Sequence, residues 1–232
     1  MFKEIKYLVQ KHLGITAVYN SIMFSQSIQD SLWLKYKSFA LGDLGWAMDS
    51  LALHNLFRIL NDVKPKNILE FGLGQSSKMV HQYAEYHKAN ALTIEHDKDW
   101  ITYITASASQ INFNIRQMDL DTIKINGVKT ISYKQAEQID SEDIELMIVD
   151  GPPGQKRYSR SQILNFVPQK LAKDFCIFVH DSERFGEQET IKLFCKKLNQ
   201  NHIEYLKRDY SRSTKWHTIV CSPSWKFLTT FS

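Results

Sequence analysis

Short apolar runs alternate with helical segments from residue 67 onward, and this alternation constrains the fold more than any other feature of the sequence. The predicted strands are NILEF (67–71), ALTIEHD (91–97), FNIRQMDL (113–120), IELMIVD (144–150) and FCIFVHD (175–181). The predicted helices between and after them cover residues 76–90, 99–110, 157–173 and 187–200. Because strands joined by crossover helices run parallel, the sequence predicts a doubly wound, mostly parallel, Rossmann-like α/β sheet. EYLKRDYS and KWHTIVCS, further along the chain, predict an antiparallel strand pair.

Residues 1–40 are predicted to form a helical extension in front of one domain, 41–232. The chain has 232 residues, of which 43% are hydrophobic, and this is enough for one good-sized core. Charged residues interrupt the apolar stretches of the extension, and a signal-peptide cleavage pattern is lacking, so we expect no membrane span and a cytoplasmic location. Apolar residues at helical spacing predict a further helix over 41–60. The polar stretch 122–143 gives no clear prediction.

A glycine-rich turn follows the first predicted strand. The chain reads Glu70-x-Gly72-x-Gly74 and then enters a predicted helix. Ligands of doubly wound sheets bind at the carboxyl ends of the strands, and glycines there let the backbone approach a nucleotide closely. The third glycine of the dinucleotide fingerprint would fall at Ser77, and no lysine stands in P-loop spacing. A tight turn without a ligand is the alternative interpretation.

An acid at a strand end followed by G-x-G resembles the first motif of class I S-adenosylmethionine (SAM)-dependent methyltransferases. The resemblance implies that this loop wraps the methionine end of SAM. It also implies that an acid ending the next strand, here Glu95, binds the ribose hydroxyls, and a carboxylate can accept both hydrogen bonds of a vicinal diol. Asp119, after the third strand, corresponds to the adenine end. The candidate cofactor-binding residues are Glu70, Gly72, Gly74, Ser76, Glu95, His96 and Asp119.

Two later strands also end in residues that carry chemistry. IELMIVD ends at Asp150, and FCIFVHD ends at His180 and Asp181. Adjacent parallel strands would bring these side chains together, and two carboxylates with one imidazole suit a divalent cation such as Mg²⁺, Mn²⁺ or Co²⁺. The arrangement resembles metal-dependent catechol-type methyltransferases, which hold a cation at the same strand ends. An acid that caps a loop and a structural histidine are the alternatives.

The chemistry expected of this cluster follows from charge. A neutral hydroxyl is a poor nucleophile, and a bound cation lowers its pKa and orients it. A nearby base then takes the proton. His180 is the candidate base if it is not a metal ligand, with Asp150 or Asp181 orienting it, and Lys156 is a second candidate.

Four segments together resemble the glucuronoxylan and related polysaccharide O-methyltransferase family, over about residues 40–190. They are LEFGLGQSSKMV, TIEHDKDWI, IVDGPPGQKRYSR and FVHDSERFGE. The resemblance implies methylation of a sugar hydroxyl with the help of a divalent metal. It does not carry over the xylan substrate, because the first 40 residues and the tail after residue 190 fall outside it.

Basic and aromatic residues near these segments are candidates for acceptor contacts. Arg157, Arg160 and Arg184 suit an anionic group on the acceptor, or else form salt bridges on a solvated face. The aromatic residues that would stack on a sugar ring, or else pack in the core, are Trp33, Tyr36, Phe39, Trp46 and Tyr158. Residues 1–46 are expected to cover the cofactor as a lid, with packing or dimerisation as the alternative.

Charge and motifs leave rival functions open. The net charge is only +4, and the amino-methylating motif N/D-P-P-Y is absent, so no nucleic-acid partner is expected. The three cysteines form no C-x-x-C pair, which argues against a zinc–thiolate site. An NAD(P)-dependent oxidoreductase and a non-catalytic binding protein on the same fold are the remaining alternatives. The expected partner of the enzyme is a small-molecule or saccharide acceptor.

Overall fold

The computed structural model describes residues 2–42, 47–213 and 215–231, with side chains from residue 14 onward. The helices are α1 Phe2–Gln29, α2 Ser50–Val63, α3 Gln75–His87, α4 Lys98–Ser107 and α5 Phe185–Gln200. The strands are β1 Asn67–Phe71, β2 Asn90–Glu95, β3 Ile115–Gln117, β4 Leu120–Ile125, β5 Val128–Tyr133, β6 Ile144–Val149, β7 Leu171–His180, β8 Leu206–Tyr210 and β9 His217–Cys221. Short 3-10 helices lie at Ala136–Gln138, Ser161–Asn165 and Pro223–Thr229. Among these residues, no helix has both the length and the apolar character needed to cross a membrane.

In the described part of the chain, seven strands form one sheet in the order β3-β2-β1-β6-β7-β9-β8. Neighbours from β3 to β7 are parallel, whereas β9 runs antiparallel to both β7 and β8. The predicted doubly wound, mostly parallel sheet and its antiparallel pair are therefore confirmed. The order reverses between β1 and β6, whose register pairs Phe71 with Val149, so the switch point lies at the carboxyl ends of these two strands.

A hydrophobic core on each face of the sheet explains why the central strands are apolar along their whole length. Successive side chains of a strand point to opposite faces. Along β6, Leu146 and Ile148 lie in the first core, and Met147 and Val149 lie in the second. Burial on both faces is usual for parallel strands covered by helices.

The N-terminal segment packs into the first of these cores. Phe24 of α1 and Trp33 beyond it are buried there. α2 begins where Asp49 caps it by accepting a hydrogen bond from a backbone amide at 2.8 Å. Of the helix predicted over 41–60, only the part from Ser50 onward is observed, as α2; residues 41–42 and 47–49 are not helical, and residues 43–46 lie outside the described part of the chain.

Two segments differ from what their sequences indicated. The polar stretch 122–143 contains most of the β4–β5 hairpin, closed by an Asn-Gly turn whose residues have φ of 49° and 79°. The prediction of a helix over 157–173 is wrong, because this segment contains only a 3-10 helix and then the start of β7. Arg160 has a left-handed φ of 56°, and Pro168 has no amide hydrogen to donate, so a continuous α-helix does not form there.

Candidate active site

The glycine loop after β1 packs against the loop after β6. Gly72 has a φ of 96°, a backbone region that favours glycine. A Cβ atom at Gly72 would lie 2.8 Å from the carbonyl carbon of Asp150 and 2.8 Å from the amide nitrogen of Gly151. The two main chains are therefore in direct contact, and a side chain at this position would separate them. Gly74 has open space where a side chain would stand.

Glu70 is buried beneath the glycine loop. Its carboxylate accepts hydrogen bonds from Ser76 Oγ at 2.7 Å and from Thr93 Oγ1 at 2.6 Å, which ties β1 to α3 and β2. Burial raises the pKa of Glu70 to about 7, against the lowering effect of these hydrogen bonds. Both Glu70 and Ser76 are predicted cofactor residues, and in the structure they contact each other and hold the shape of the loop.

Glu95 stands at the end of β2, beside the same loop. Its carboxylate accepts hydrogen bonds from the amides of Leu73 at 2.9 Å, His96 at 2.6 Å and Asp97 at 3.0 Å. His96 Nδ1 also lies 2.6 Å from Glu95 Oε1. Of the about four lone-pair positions of the carboxylate, one on Oε2 therefore remains for a ligand. Asp119 is exposed beyond the end of β3, the strand next to β2. The predicted cofactor residues thus lie along the carboxyl ends of β1, β2 and β3.

Trp100 joins the glycine loop from α4, a contact that the sequence patterns did not predict. Its indole Nε1 donates to the carbonyl oxygen of Leu73 at 2.7 Å, and its ring stacks on Tyr103 at 5.4 Å between centroids. Asp97 caps α4 by accepting the Trp100 amide at 3.0 Å. The D-x-x-W spacing is the sequence signal for this contact, because the cap sets where the first turn of α4 places the indole.

Asp150, His180 and Asp181 meet at the carboxyl ends of β6 and β7, as their positions after adjacent strands predict. Their ligand-type atoms lie within 4.8 Å of one another. His180 Nδ1 is 3.1 Å from Asp150 Oδ1 and 3.6 Å from Asp181 Oδ1. The side chain of Asp150 is 23% exposed, against 1% for His180 and 7% for Asp181. A molecule entering this site would therefore meet Asp150 first.

The charges of this cluster favour an ionised Asp150 beside a protonated His180. Burial raises the pKa of Asp150, but His180 and Arg160 outweigh burial and lower it to about 2. Burial lowers the pKa of His180, but Asp150 and Asp181 outweigh burial and raise it above its usual value. Because the two groups are in contact, they titrate as a pair.

Arg160 completes the cluster, and its part in it was not apparent from the sequence. The side chain is 4% exposed. Its guanidinium Nη2 lies 2.9 Å from Asp181 Oδ2 and 3.2 Å from Asp150 Oδ1. Nη1 donates to the main-chain carbonyl of His180 at 2.7 Å, and Nε lies 3.7 Å from Glu187 Oε1. A buried guanidinium therefore stands between the two carboxylates that were predicted to hold a metal.

A divalent cation does not fit this arrangement of charges. The donor set of two carboxylates and an imidazole is suitable in kind. However, Asp150 and Asp181 already face a permanent cation at hydrogen-bonding distance. A metal at about 2.0–2.6 Å from the same oxygens would be repelled by the guanidinium beside it.

The remaining basic candidates near the site are either exposed to solvent or paired with acidic side chains. Lys156 is exposed on the loop after β6. Arg157 Nε donates to Glu189 Oε1 at 2.7 Å, and Arg184 Nη1 lies 3.0 Å from Asp181 Oδ2. The salt-bridge interpretation therefore describes both of these arginines.

The aromatic candidates are mostly packing residues. Trp33 and Tyr158 are buried, and Phe39 packs against the first core. Tyr36 is held beside α3 by main-chain hydrogen bonds of 2.6 Å and 3.1 Å to a glutamine side chain. Trp46 lies outside the described residues. Packing is thus the role that the contacts support, while a lid function and a domain boundary at residue 40 stay predictions.

Comparison with solved structures defines the class of fold. A protein from Staphylococcus aureus assigned as a caffeoyl-CoA O-methyltransferase gives a TM-score of 0.51 at 15% identity, covering 94% of this chain and 98% of its own. The methyltransferase PaMTH1 from Podospora anserina, bound to S-adenosylhomocysteine (SAH), gives a TM-score of 0.50 at 14% identity, covering 88% of this chain and 86% of its own. The chain therefore has the Rossmann-like fold of SAM-dependent methyltransferases.

Comparison at the level of sequence adds no closer relative. No protein-family profile and no curated protein matches the chain. The narrower resemblance to polysaccharide O-methyltransferases is not confirmed by these comparisons.

Proposed function

We propose that this protein is a SAM-dependent O-methyltransferase that acts on a hydroxyl group of a small acceptor, with a sugar as the favoured class. The contact between the glycine loop and the Asp150 loop carries the proposal, because it sets a cofactor-type site beside an acid–histidine pair at the switch point of the sheet. The likeness in fold to a protein assigned as an O-methyltransferase and to an SAH-bound methyltransferase supports it. The choice of a sugar as the favoured acceptor rests on the four sequence segments that resemble the polysaccharide O-methyltransferase family.

The cofactor half of the site would be formed by the loops after β1 and β2. When bound, SAM supplies a methyl group on a positively charged sulfur, which an oxygen nucleophile can attack. Gly74 leaves the main chain uncovered for the methionine end of the cofactor, and Gly72 lets the glycine loop lie directly against the Asp150 loop. Glu95 would accept the ribose hydroxyls, and Glu70 holds the loop through Ser76.

Asp150 is the group that an acceptor hydroxyl would contact, because it is the accessible member of the cluster. Its carboxylate accepts the hydroxyl hydrogen and so orients the acceptor oxygen. His180, 3.1 Å behind it, shares a proton with the carboxylate. Above the raised pKa of His180 the pair is free to take the hydroxyl proton as methyl transfer proceeds. His180 thus acts through Asp150, and Lys156 stays the second candidate base.

The cofactor assignment is tested by isothermal titration of the purified chain with SAH and, separately, with NADH. We expect SAH to bind and NADH not to bind. Glu95→Gln removes the negative charge but keeps the size of the side chain. Loss of the charge-assisted hydrogen bonds, worth about 1.5–3 kcal/mol, should weaken SAH binding roughly 10- to 100-fold. Glu204→Ala, an exposed acid on a distant surface, is the matched control and should bind SAH like the wild type.

The outcomes separate the rival functions. Binding of NADH in place of SAH by the folded chain would favour the oxidoreductase hypothesis. Binding of neither compound would contradict the assignment of SAM as the cofactor. The acceptor class is then identified by SAH release with neutral sugars, uronic acids and catechols. A protein that binds SAH but methylates no hydroxyl acceptor would be a non-catalytic binding protein.

A further inference from the structure

We propose that the Arg160 guanidinium is the resident cation of the strand-end cluster, in the place where a divalent metal was expected, and that acceptor activation at Asp150 needs no metal ion. The assignment of the cation stands on the geometry of the cluster alone. Its consequence for acceptor activation rests on the proposed function.

The position of Arg160 between the carboxylates is the first reason. Nη2 is within 3.2 Å of an oxygen of Asp150 and within 2.9 Å of an oxygen of Asp181. A cation that bridges two carboxylates offsets their mutual repulsion, and this is the electrostatic task of a metal in such a site. The guanidinium performs it with directed hydrogen bonds, which suit carboxylates well.

Arg160 is also locked in place. Its Nη1 donates to the carbonyl of His180 at 2.7 Å, so the guanidinium is tied to the main chain of β7 as well as to side chains. The residue is 4% exposed. A metal bound to Asp150 Oδ1 and Asp181 Oδ2 would require the guanidinium to leave these oxygens while remaining buried, and an unpaired buried charge is strongly disfavoured.

The permanence of the charge is the third reason. The guanidinium group of an arginine stays protonated in proteins. Unlike a lysine or a histidine, the group cannot give way to a metal by losing its proton. Arg184 adds a second guanidinium 3.0 Å from Asp181 Oδ2, so that oxygen is doubly occupied.

Arg160 is by this account a positioning residue. It holds Asp150 ionised and aligned, and Asp150 contacts the acceptor. A merely structural arginine would also stabilise the fold, so a readout is needed that responds to the cation itself.

The test is titration of the full chain, first dialysed against a chelator, with Mn²⁺ alone, followed by the electron paramagnetic resonance signal of free Mn²⁺. We expect the wild type to show no Mn²⁺ site that depends on Asp150. Arg160→Met, which removes the charge but keeps an unbranched side chain, should gain a Mn²⁺ site with affinity about tenfold or more above any wild-type binding. Arg157→Met, which removes an exposed arginine paired with Glu189, is the matched control and should behave like the wild type.

Arg160→Lys keeps a positive charge and serves if Arg160→Met does not fold. It should bind Mn²⁺ no better than the wild type. Stoichiometric Mn²⁺ binding by the wild type that is lost in Asp150→Asn would overturn the proposal, and so would a folded Arg160→Met that gains no site. If Asp150→Asn leaves Mn²⁺ binding unchanged, the Mn²⁺ lies outside the strand-end cluster, and this result agrees with the proposal.

SAH titration of the same samples keeps the two proposals apart. SAH binding that survives removal of metal, together with the expected Mn²⁺ result, supports both. Failure to bind SAH rejects the proposed function and leaves the assignment of the cation standing. An Asp150-dependent Mn²⁺ site rejects the assignment of the cation and leaves the methyltransferase proposal standing.

Discussion

Replacement of Gly72 by alanine tests whether the glycine loop and the Asp150 loop are in direct contact. The first cost is in the backbone, because a non-glycine residue held at positive φ costs about 1–2 kcal/mol. The second cost is steric, because the new Cβ would lie 2.8 Å from main-chain atoms of Asp150 and Gly151. Overpacking of this kind costs about 1–3 kcal/mol. We therefore expect Gly72→Ala to lower the free energy of unfolding by roughly 2–5 kcal/mol.

Two other glycines separate these costs. Gly127, in the β4–β5 turn, has a φ of 79° and nothing within 4 Å of a new Cβ, so Gly127→Ala should show only the backbone cost of about 1–2 kcal/mol. Gly74 has open space and extended backbone, so Gly74→Ala should cost less than about 1 kcal/mol.

The measurement is urea unfolding of the wild type and the three variants. Midpoints are compared where the dependence of the free energy of unfolding on urea concentration is the same for all four proteins. SAH titration of the same proteins reports on the site. Gly72→Ala should weaken SAH binding, and Gly127→Ala should leave it unchanged. Equal destabilisation by Gly72→Ala and Gly127→Ala would mean that the Cβ meets no obstacle, and the contact between the two loops would then be refuted.

Two further predictions concern buried acids. Glu70, with its pKa raised to about 7 from an ordinary 4.5, favours the folded state at low pH, and about 3 kcal/mol of this stability is lost as pH rises through about 7. Glu70→Gln should abolish that loss, and equal falls in the urea midpoints of both proteins between pH 5 and pH 8 would contradict this account. Asp150→Asn should lower the pKa of His180, read from its imidazole NMR resonance, and should remove the stability that the wild type loses as pH rises through that pKa. An unchanged His180 titration in Asp150→Asn would show that the two groups are not paired.

The parts of the fold that were predicted correctly depend on neighbouring residues in the chain. The central strands were recognised because they are buried on both faces and therefore apolar throughout. The glycine loop and the strand-end acids follow directly from the ends of those strands. The β4–β5 hairpin was missed although its Asn-Gly turn is a local signal, because half of its strand residues are polar and the hairpin lies apart from the main sheet.

The segment 157–173 shows where local pattern fails. Its apolar spacing is compatible with a helix, but Arg160 adopts a left-handed φ of 56° and points its guanidinium into the strand-end cluster. That conformation is stabilised by Asp181, which is 21 residues further along the chain, and by the carbonyl of His180. A pattern read over a few residues does not contain these contacts.

The amino-acid sequence by itself determined the α/β class, the glycine loop, and the positions of Asp150, His180 and Asp181 at neighbouring strand ends. These follow from side-chain periodicity and turn chemistry, which act over a few residues. Only the tertiary structure decided that a buried Arg160 stands between the carboxylates and that Asp150 is the accessible member of the cluster. The reason is that burial and charge pairing depend on which distant segments pack together. On an exposed surface the same residues could bind a metal, form a salt bridge or do neither, so the residue types alone do not decide their role.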